Sequence, residues 1–255
     1  MKRAKFITIS TQKGGAGKTT LTVLLASHLH YLCGYNVAVI DCDFTQPSIS
    51  NMRTRDLAMI KEDKLYRTMA CNLFSKLKKR AYRIERSPLD NAIECAEKLT
   101  EEDSDLDYIF FDLPGTISTR GVVNILAVAD YIFTPITADR SVLESSLSYA
   151  SIINDRVVAT SKSAIKGLYM VWNMVDRRER SELYDNYESA IAELGIPIME
   201  TRLPDSKRFR REIGSLHRAI FRSTMFPIDR TLIKSSGILE FTAEFLKITR
   251  ESNDE

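Results

Sequence analysis

The chain has 255 residues, of which 44% are hydrophobic and 27% charged, which is ordinary for a soluble globular protein. Its 36 Lys and Arg against 34 Asp and Glu leave a net charge of +2. That balance is too close to neutral to indicate a nucleic-acid or membrane partner without a local basic patch. The four cysteines have no CxxC pairing and no histidine at metal-ligand spacing, which argues against a disulfide framework or a zinc site. No run reaches the ~18 apolar residues of a membrane span. We therefore expect a cytoplasmic protein.

Short apolar runs rich in Val, Ile and aromatic residues recur along the chain, with helix-like segments between them. They lie at residues 6–9, 37–40, 108–111, 131–136, 168–172 and 196–199. Runs of this length that alternate with helices predict βαβ units, and therefore a doubly wound α/β fold with a mostly parallel sheet and helices on both faces. Residues 51–102 are charged and lack a strand signal, so we interpret them as a helical insertion in a single domain spanning residues 1–255.

The segment "KGGAGKTT" follows the first apolar run and opens a helix-like segment. Its glycines allow backbone conformations in which N–H groups surround phosphate oxygens, and the positive end of the helix dipole points at the same phosphates. Lys18 is placed to reach the β- and γ-phosphates, and Thr19 to offer its hydroxyl to Mg²⁺. The predicted phosphate-binding residues are Gly14, Gly15, Ala16, Gly17, Lys18, Thr19 and Thr20. This is the signature of a P-loop NTPase.

Acidic residues follow two of the apolar runs. In "VIDCDFTQP", Asp41 and Asp43 stand at the carboxyl end of a predicted strand, where doubly wound folds bind ligands, and strand alternation turns both towards one side. In "YIFFDLPGT", Asp112 closes an apolar run in a Walker B arrangement, whose acid holds a magnesium-bound water. We predict magnesium ligation by Thr19 and Asp112; an alternative role for Asp41 and Asp43 is capping of the following helix.

The phosphate loop departs from the usual Walker A pattern, because Gln12 occupies the position of its first glycine and a lysine, Lys13, precedes the loop glycines. "KGGAGKT" resembles the deviant Walker A of the ParA/MinD family of ATPases, most closely its short ParA-type members. The resemblance extends through "VIDCDFTQP", "YIFFDLPGT", "TPITADRSVLESS", "NMVDRR" and "LPDSK". It implies ATP and Mg²⁺ as cofactors and a homodimer in which Lys13 neutralises phosphate charge in the partner's site.

The same resemblance implies roles for further residues. Catalysis would involve Lys13, Lys18 and Asp43, the last of which helps orient the attacking water. Asp41 would support the magnesium shell as a third magnesium ligand, and Gly115 would present a backbone N–H to the γ-phosphate. Asn173 matches the position that contacts adenine, and Pro204 of "TRLPDSK" the loop over that base. Asn173 and Asp176 also echo the guanine-reading NKxD motif, but Met174 replaces its lysine, which favours ATP over GTP. A strand-end turn is an alternative role for Asn173.

A basic segment near the C-terminus, "KRFRREIGSLHRAIFR" at residues 207–222, has six Lys and Arg against one Glu. On a helix four of its five arginines share one face, which suits sequence-independent contact with a phosphate backbone. The predicted DNA-binding residues are Arg208, Arg211, Arg218 and Arg222. A solvated helix face is the alternative. By contrast, the amphipathic segment 238–248 belongs to an acidic C-terminus that disfavours membrane binding, so we expect it to pack in the core.

These observations predict an ATP-dependent dimeric switch that hydrolyses ATP, binds DNA nonspecifically when loaded with ATP, and is stimulated by a ParB-like protein. It would partition or position a plasmid, chromosome or mobile element, and would associate with the nucleoid in its ATP form. Two alternatives remain: a MinD-like ATPase that works at a membrane surface, and a nucleotide-gated regulatory protein whose hydrolysis is incidental.

Overall fold

The computed structural model describes residues 3–43, 48–115, 119–154, 164–176, 178, 181–206, 209, 213 and 219–251. The strands are β1 (Lys5–Ile9), β2 (Val37–Asp41), β3 (Arg83–Arg86), β4 (Tyr108–Asp112), β5 (Tyr131–Ile136), β6 (Gly167–Val175) and β7 (Ile198–Pro204). The helices are α1 (Lys18–Tyr31), α2 (Ser48–Glu62), α3 (Lys64–Leu77), α4 (Ala92–Glu102), α5 (Arg120–Val128), α6 (Arg140–Ile153), α7 (Ser181–Glu193), α8 (Arg230–Ile233) and α9 (Ile238–Glu251), with a short 3₁₀ turn at Leu89–Asn91.

The strands form one seven-stranded sheet in the order β3-β2-β4-β1-β5-β6-β7, and every pairing is parallel. This confirms the predicted doubly wound α/β class. Because parallel strands run the same way, the carboxyl ends of β1, β2 and β4 lie side by side, and Asp41 and Asp112 are directly paired there. The order reverses beside β1, and such a switch point is where doubly wound sheets bind ligands.

Helices cover both faces of the sheet, as predicted. One hydrophobic cluster joins one face to α4, α5, α6 and α7, and a second joins the other face to α1, α2 and α9. Ile238, Phe241 and Phe245 on α9 are fully buried in the second cluster, with Ile248 packed against it, so the core role expected for this stripe is confirmed. Within the described residues, no helix is long and apolar enough to cross a bilayer.

The prediction that residues 51–102 lack a strand was wrong. After α2 and α3, the chain forms β3 at the sheet edge, paired with β2. Its sequence, "RIER", offers Ile84 as its one apolar side chain, and its ends are exposed. An edge strand of this kind is charged and short, which protects it from pairing with other chains and also removes the hydrophobic pattern that would reveal it.

The opposite edge of the sheet is protected differently. In β7, the backbone N–H groups of Glu200 and Thr201 both donate to the Glu244 carboxylate of α9, at 2.6 and 2.9 Å, and the Thr201 hydroxyl donates to it at 2.6 Å. Glu244 therefore occupies donors that an edge strand would otherwise offer to another strand.

Candidate functional site

The loop between β1 and α1 has the backbone conformation expected of a phosphate-binding loop. Gly15 and Gly17 have φ values of 82° and 96°, in the left-handed region that favours glycine, and Gly17 is the N-cap residue of α1. A β-carbon at Gly17 would also overlap the Asn173 side-chain nitrogen. Glycine at position 17 is thus required by its own dihedral angles and by the close approach of β6.

Lys18 lies at the centre of this loop. Its ammonium nitrogen is 3.4 Å from the Lys13 carbonyl oxygen, and a β-carbon at Gly115 would lie 3.2 Å from it. Burial lowers the pKa of Lys18, while the negative charges of Asp112 and Asp43 act in the opposite direction. The structure therefore brings together four residues that the sequence predicted for the phosphate site: Lys18, Asp43, Asp112 and Gly115.

The predicted magnesium ligands also converge. The Thr19 hydroxyl donates to Asp112 Oδ2 at 2.9 Å, which links the loop to β4. The pKa of Asp112 is raised to about 7, mainly by burial; the charges of Asp41 and Asp43 also raise it, whereas the Thr19 hydrogen bond and Lys18 act in the opposite direction. Asp41 accepts from Ser50 N and Oγ through Oδ2, and its buried Oδ1 has no hydrogen-bond partner among the described residues.

This arrangement fits a hard divalent cation. Two buried carboxylates and a hydroxyl are the oxygen ligands that Mg²⁺ prefers, and a cation would stabilise the charged form of Asp112, which burial disfavours. Asp41 also holds the start of α2 through Ser50. Asp41 can therefore serve both predicted roles, because Oδ2 contacts the following helix and Oδ1 is left for a cation.

Lys13 contacts residues of its own chain in this structure. Its ammonium donates to the Ser141 hydroxyl, and Ser141 donates in turn to Asp139 at 2.9 Å. Asp139 caps α6 by accepting from Val142 N, and that bond is the main cause of its lowered pKa, to which the charge of Lys13 also contributes. Sequence reasoning did not identify Asp139 and Ser141, which lie more than 120 residues from Lys13.

A cavity of 390 Å³ beside the loop is the candidate for the predicted base pocket. Asn173 lines it and is 4% exposed, with its amide donating to the Ala16 carbonyl at 2.8 Å. Asn173 therefore positions the loop as well as facing the pocket. Pro204 lies at the end of β7 but outside this cavity; the residues that follow it, Asp205, Ser206 and Phe209, line it instead.

The possible guanine-reading pair is not brought into one cavity. Asp176 lines a separate cavity of 480 Å³ with Gly14, Ala16 and Asp139. Its carboxylate pairs with the exposed Arg178 at 2.8 Å, and that hydrogen bond lowers the pKa of Asp176 to about 2. Met174, with φ 57°, lines both cavities.

The basic segment was predicted as a helix over residues 207–222, but residues 219–222 are not helical. Arg208, Arg211 and Arg218 lie outside the described residues. Arg222 is not on an exposed face: it is half-buried, lines the 390 Å³ cavity, and its guanidinium donates to the Thr20 hydroxyl at 2.7 Å. No sequence signal indicated this contact, because 202 residues separate its partners.

Comparisons with known proteins agree with this geometry. Residues 7–217 match the family described as the CobQ/CobB/MinD/ParA nucleotide binding domain. A protein of Chlorella vulgaris named as a septum site-determining protein MinD is 26% identical over 217 residues, which cover 76% of this chain and 70% of that protein.

Two solved structures share the fold. The MinC:MinD cell division protein complex of Aquifex aeolicus superposes with a TM-score of 0.62 at 15% identity, covering 96% of both chains. The structure of pNOB8 ParA bound to nonspecific DNA gives a TM-score of 0.61 at 19% identity, covering 99% of this chain and 100% of that one. The expected resemblance to MinD and ParA ATPases is thereby confirmed.

Proposed function

Because the chain belongs to the CobQ/CobB/MinD/ParA nucleotide-binding domain family, we propose that it is an ATP-dependent dimeric switch that hydrolyses ATP and binds DNA nonspecifically in its ATP form. The observation that carries this proposal is the convergence of Lys18, Thr19, Asp43 and Asp112 on one glycine loop. Its biological role would be to partition or position a DNA element, with a ParB-like protein stimulating hydrolysis.

The chain's own residues would divide the chemistry of hydrolysis among them. The loop backbone and Lys18 would bind the outer phosphates, and Gly115 would donate its N–H to the γ-phosphate. Thr19 and Asp112, supported by Asp41, would hold Mg²⁺, which supplies neutralising charge to the phosphate oxygens. Asp43 would orient the attacking water, so catalysis would depend mainly on positioning and electrostatic stabilisation.

ATP is favoured over GTP by two observations. Met174 stands where the guanine motif has lysine, and Asn173 and Asp176 line different cavities. Competition of ATP and GTP for a fluorescent ADP analogue tests this choice. We expect ATP to displace the analogue at much lower concentration than GTP, and Lys18→Ala to abolish binding of the analogue. Preferential displacement by GTP would refute the assignment of the base.

Hydrolysis itself requires a separate assay. We expect slow, magnesium-dependent phosphate release by the wild type, no turnover in Lys18→Ala, and retained ATP binding without turnover in Asp43→Ala. Lys61→Ala serves as a control, since Lys61 is exposed on α2. Normal turnover by Asp43→Ala would remove the role proposed for that carboxylate.

Dimerisation would require Lys13 to leave Ser141 and enter the partner's site. Light scattering with Asp43→Ala, which should accumulate the ATP form, tests this step. We expect a dimer with ATP and a monomer with ADP, and a monomer in both states when Lys13→Ala is added to Asp43→Ala. If Lys13→Ala still dimerises with ATP, the proposed action in trans is wrong.

The DNA-binding proposal is supported by the basic segment 207–222 and by the family's ParA member bound to nonspecific DNA. Binding of a random duplex should need ATP and fall steeply with salt. Arg211→Glu with Arg218→Glu should lose this binding, whereas Lys61→Glu with Lys64→Glu, an equal change of charge at exposed sites, should keep it. An equal loss in both double variants would point to net charge alone.

A MinD-like function is the second candidate, favoured by the Chlorella relative and by the Aquifex MinC:MinD structure. Sedimentation with anionic liposomes distinguishes the two. ATP-dependent pelleting with liposomes, combined with no DNA binding in any nucleotide state, would replace the partition proposal with one of positioning at a membrane surface.

A further inference from the structure

Arg222 occupies a defined place at the nucleotide cleft. Its guanidinium donates to the hydroxyl of Thr20, in the first turn of α1, at 2.7 Å. It lines the 390 Å³ cavity together with Gly17, Lys18 and Asn173. It also lines an adjoining cavity of 510 Å³ with Thr19 and Arg55. The guanidinium is thus part of the wall of the cleft, next to the phosphate loop.

The residues that follow Arg222 are clamped by buried hydrogen bonds. Ser223 Oγ, Thr224 N and Thr224 Oγ1 all donate to Asp56 Oδ2 of α2, at 2.9, 2.7 and 2.7 Å. From α1, the hydroxyls of Ser27 and Tyr31 donate to the carbonyls of Ser223 and Thr224, both at 2.7 Å. The backbone beside Arg222 is therefore fixed against two helices before any ligand binds, which limits the ordering cost of using Arg222.

The electrostatic setting of Arg222 favours an anion. The first turn of α1 carries the positive end of the helix dipole, where a cation is unfavourable and an anion is stabilised. Lys18 adds a second positive charge to the same cavity, and Asp205 is the one acidic residue among the described residues that line it. A phosphate group at this position would reverse an unfavourable grouping of positive charges.

We propose that Arg222 binds the α-phosphate of the nucleotide within its own subunit. The proposal rests on the ATP binding proposed above. In that proposal Lys18 and Thr19 serve the outer phosphates and Mg²⁺ and Asn173 contacts the base, and all three line the same cavity as Arg222. A guanidinium bound to Thr20, the next residue along α1, stands by the innermost phosphate. Arg222 thus belongs to nucleotide binding and not to the DNA surface.

The test compares adenosine, AMP, ADP and ATP as competitors of a fluorescent ADP analogue. Arg222→Gln should weaken AMP, ADP and ATP alike, by about ten- to a hundredfold, because each loses one charge-assisted hydrogen bond. Adenosine should be unaffected, and Arg222→Lys should recover part of the loss because it keeps the charge. Arg230→Gln, at an exposed site on α8, is the matched control and should bind all four as the wild type does.

The other outcomes are equally informative. Unchanged affinities in Arg222→Gln, or an equal loss for adenosine, would overturn the proposal and leave Arg222 a structural role. A loss confined to ADP and ATP would place the guanidinium on the outer phosphates and overturn the α-phosphate assignment. Melting temperatures without ligand identify any folding defect, in which case Arg222→Lys carries the comparison. A wild type that binds no nucleotide would refute the proposed function and the inference with it.

Discussion

The contact between Gly17 and Asn173 gives a sharp prediction about how the phosphate loop is held. Gly17→Ala places a side chain at φ 96° and into the space of the Asn173 amide. The left-handed backbone should cost about 1–2 kcal/mol. Displacing Asn173 breaks its 2.8 Å bond to the Ala16 carbonyl, and a buried polar group left without a partner costs a further ~1–3 kcal/mol. We therefore expect a total loss of about 2–5 kcal/mol.

A double-mutant cycle separates these two contributions. In an Asn173→Ala background the amide is absent, so Gly17→Ala should cost only the backbone part, about 1–2 kcal/mol. Gly195→Ala is the matched control, because Gly195 has φ 67° but nothing within 4 Å of its added β-carbon. It too should cost about 1–2 kcal/mol. The two variants at Gly17 and Gly195 thus share the strain and differ in the clash.

The assay is urea unfolding followed by fluorescence of Trp172, the one tryptophan of the chain, which is fully buried and adjacent to Asn173. Coincident circular dichroism transitions would justify a two-state treatment. If Gly17→Ala and Gly195→Ala cost the same, or if the effect of Gly17→Ala is unchanged without the Asn173 side chain, then β6 does not hold the loop in the way we infer.

Three further predictions concern stability. Asp56→Ala removes the acceptor of three buried donors and should lower the free energy of unfolding, measured in urea, by roughly 2–4 kcal/mol. Asp56→Asn should lower it less, and an equal loss in both variants would contradict this explanation. Burial lowers the pKa of His30 to about 4, below the value of about 6.5 in the unfolded chain. Between pH 6.5 and pH 4 His30 therefore binds a proton in the unfolded chain but stays neutral in the folded chain. The free energy of unfolding should fall by about 2–3 kcal/mol as the pH drops through this range. The free energy of unfolding of His30→Gln should depend less steeply on pH, and a dependence as steep as that of the wild type would count against the lowered pKa of His30. Glu244→Ala exposes edge donors of β7 and should cost ~1–3 kcal/mol and increase self-association in light scattering, whereas Glu244→Gln, which keeps one acceptor oxygen, should behave more like the wild type.

Much of the fold was predictable because its pattern is local. Buried parallel strands are short apolar runs, and the six runs between residues 6 and 199 correspond to six of the seven strands that the described residues form. The missing one, β3, is a charged edge strand with a single apolar residue, Ile84, so its presence depends on pairing with β2 and not on hydrophobic patterning. The predicted basic helix is wrong over residues 219–222, where Ile220 and Phe221 are buried in the core without helical backbone.

The sequence by itself determined the phosphate loop and the acids that face it. Glycine dihedral angles, a lysine beside them and carboxylates at strand ends act through neighbouring residues and through the shared direction of parallel strands. Only the tertiary structure decided which residues far apart in the sequence form hydrogen bonds at the site. These bonds join Asn173 to the Ala16 carbonyl, Lys13 to Ser141, and Arg222 to Thr20. Those contacts join residues 128 to 202 positions apart, and their geometry follows from the packing of whole elements rather than from any local spacing.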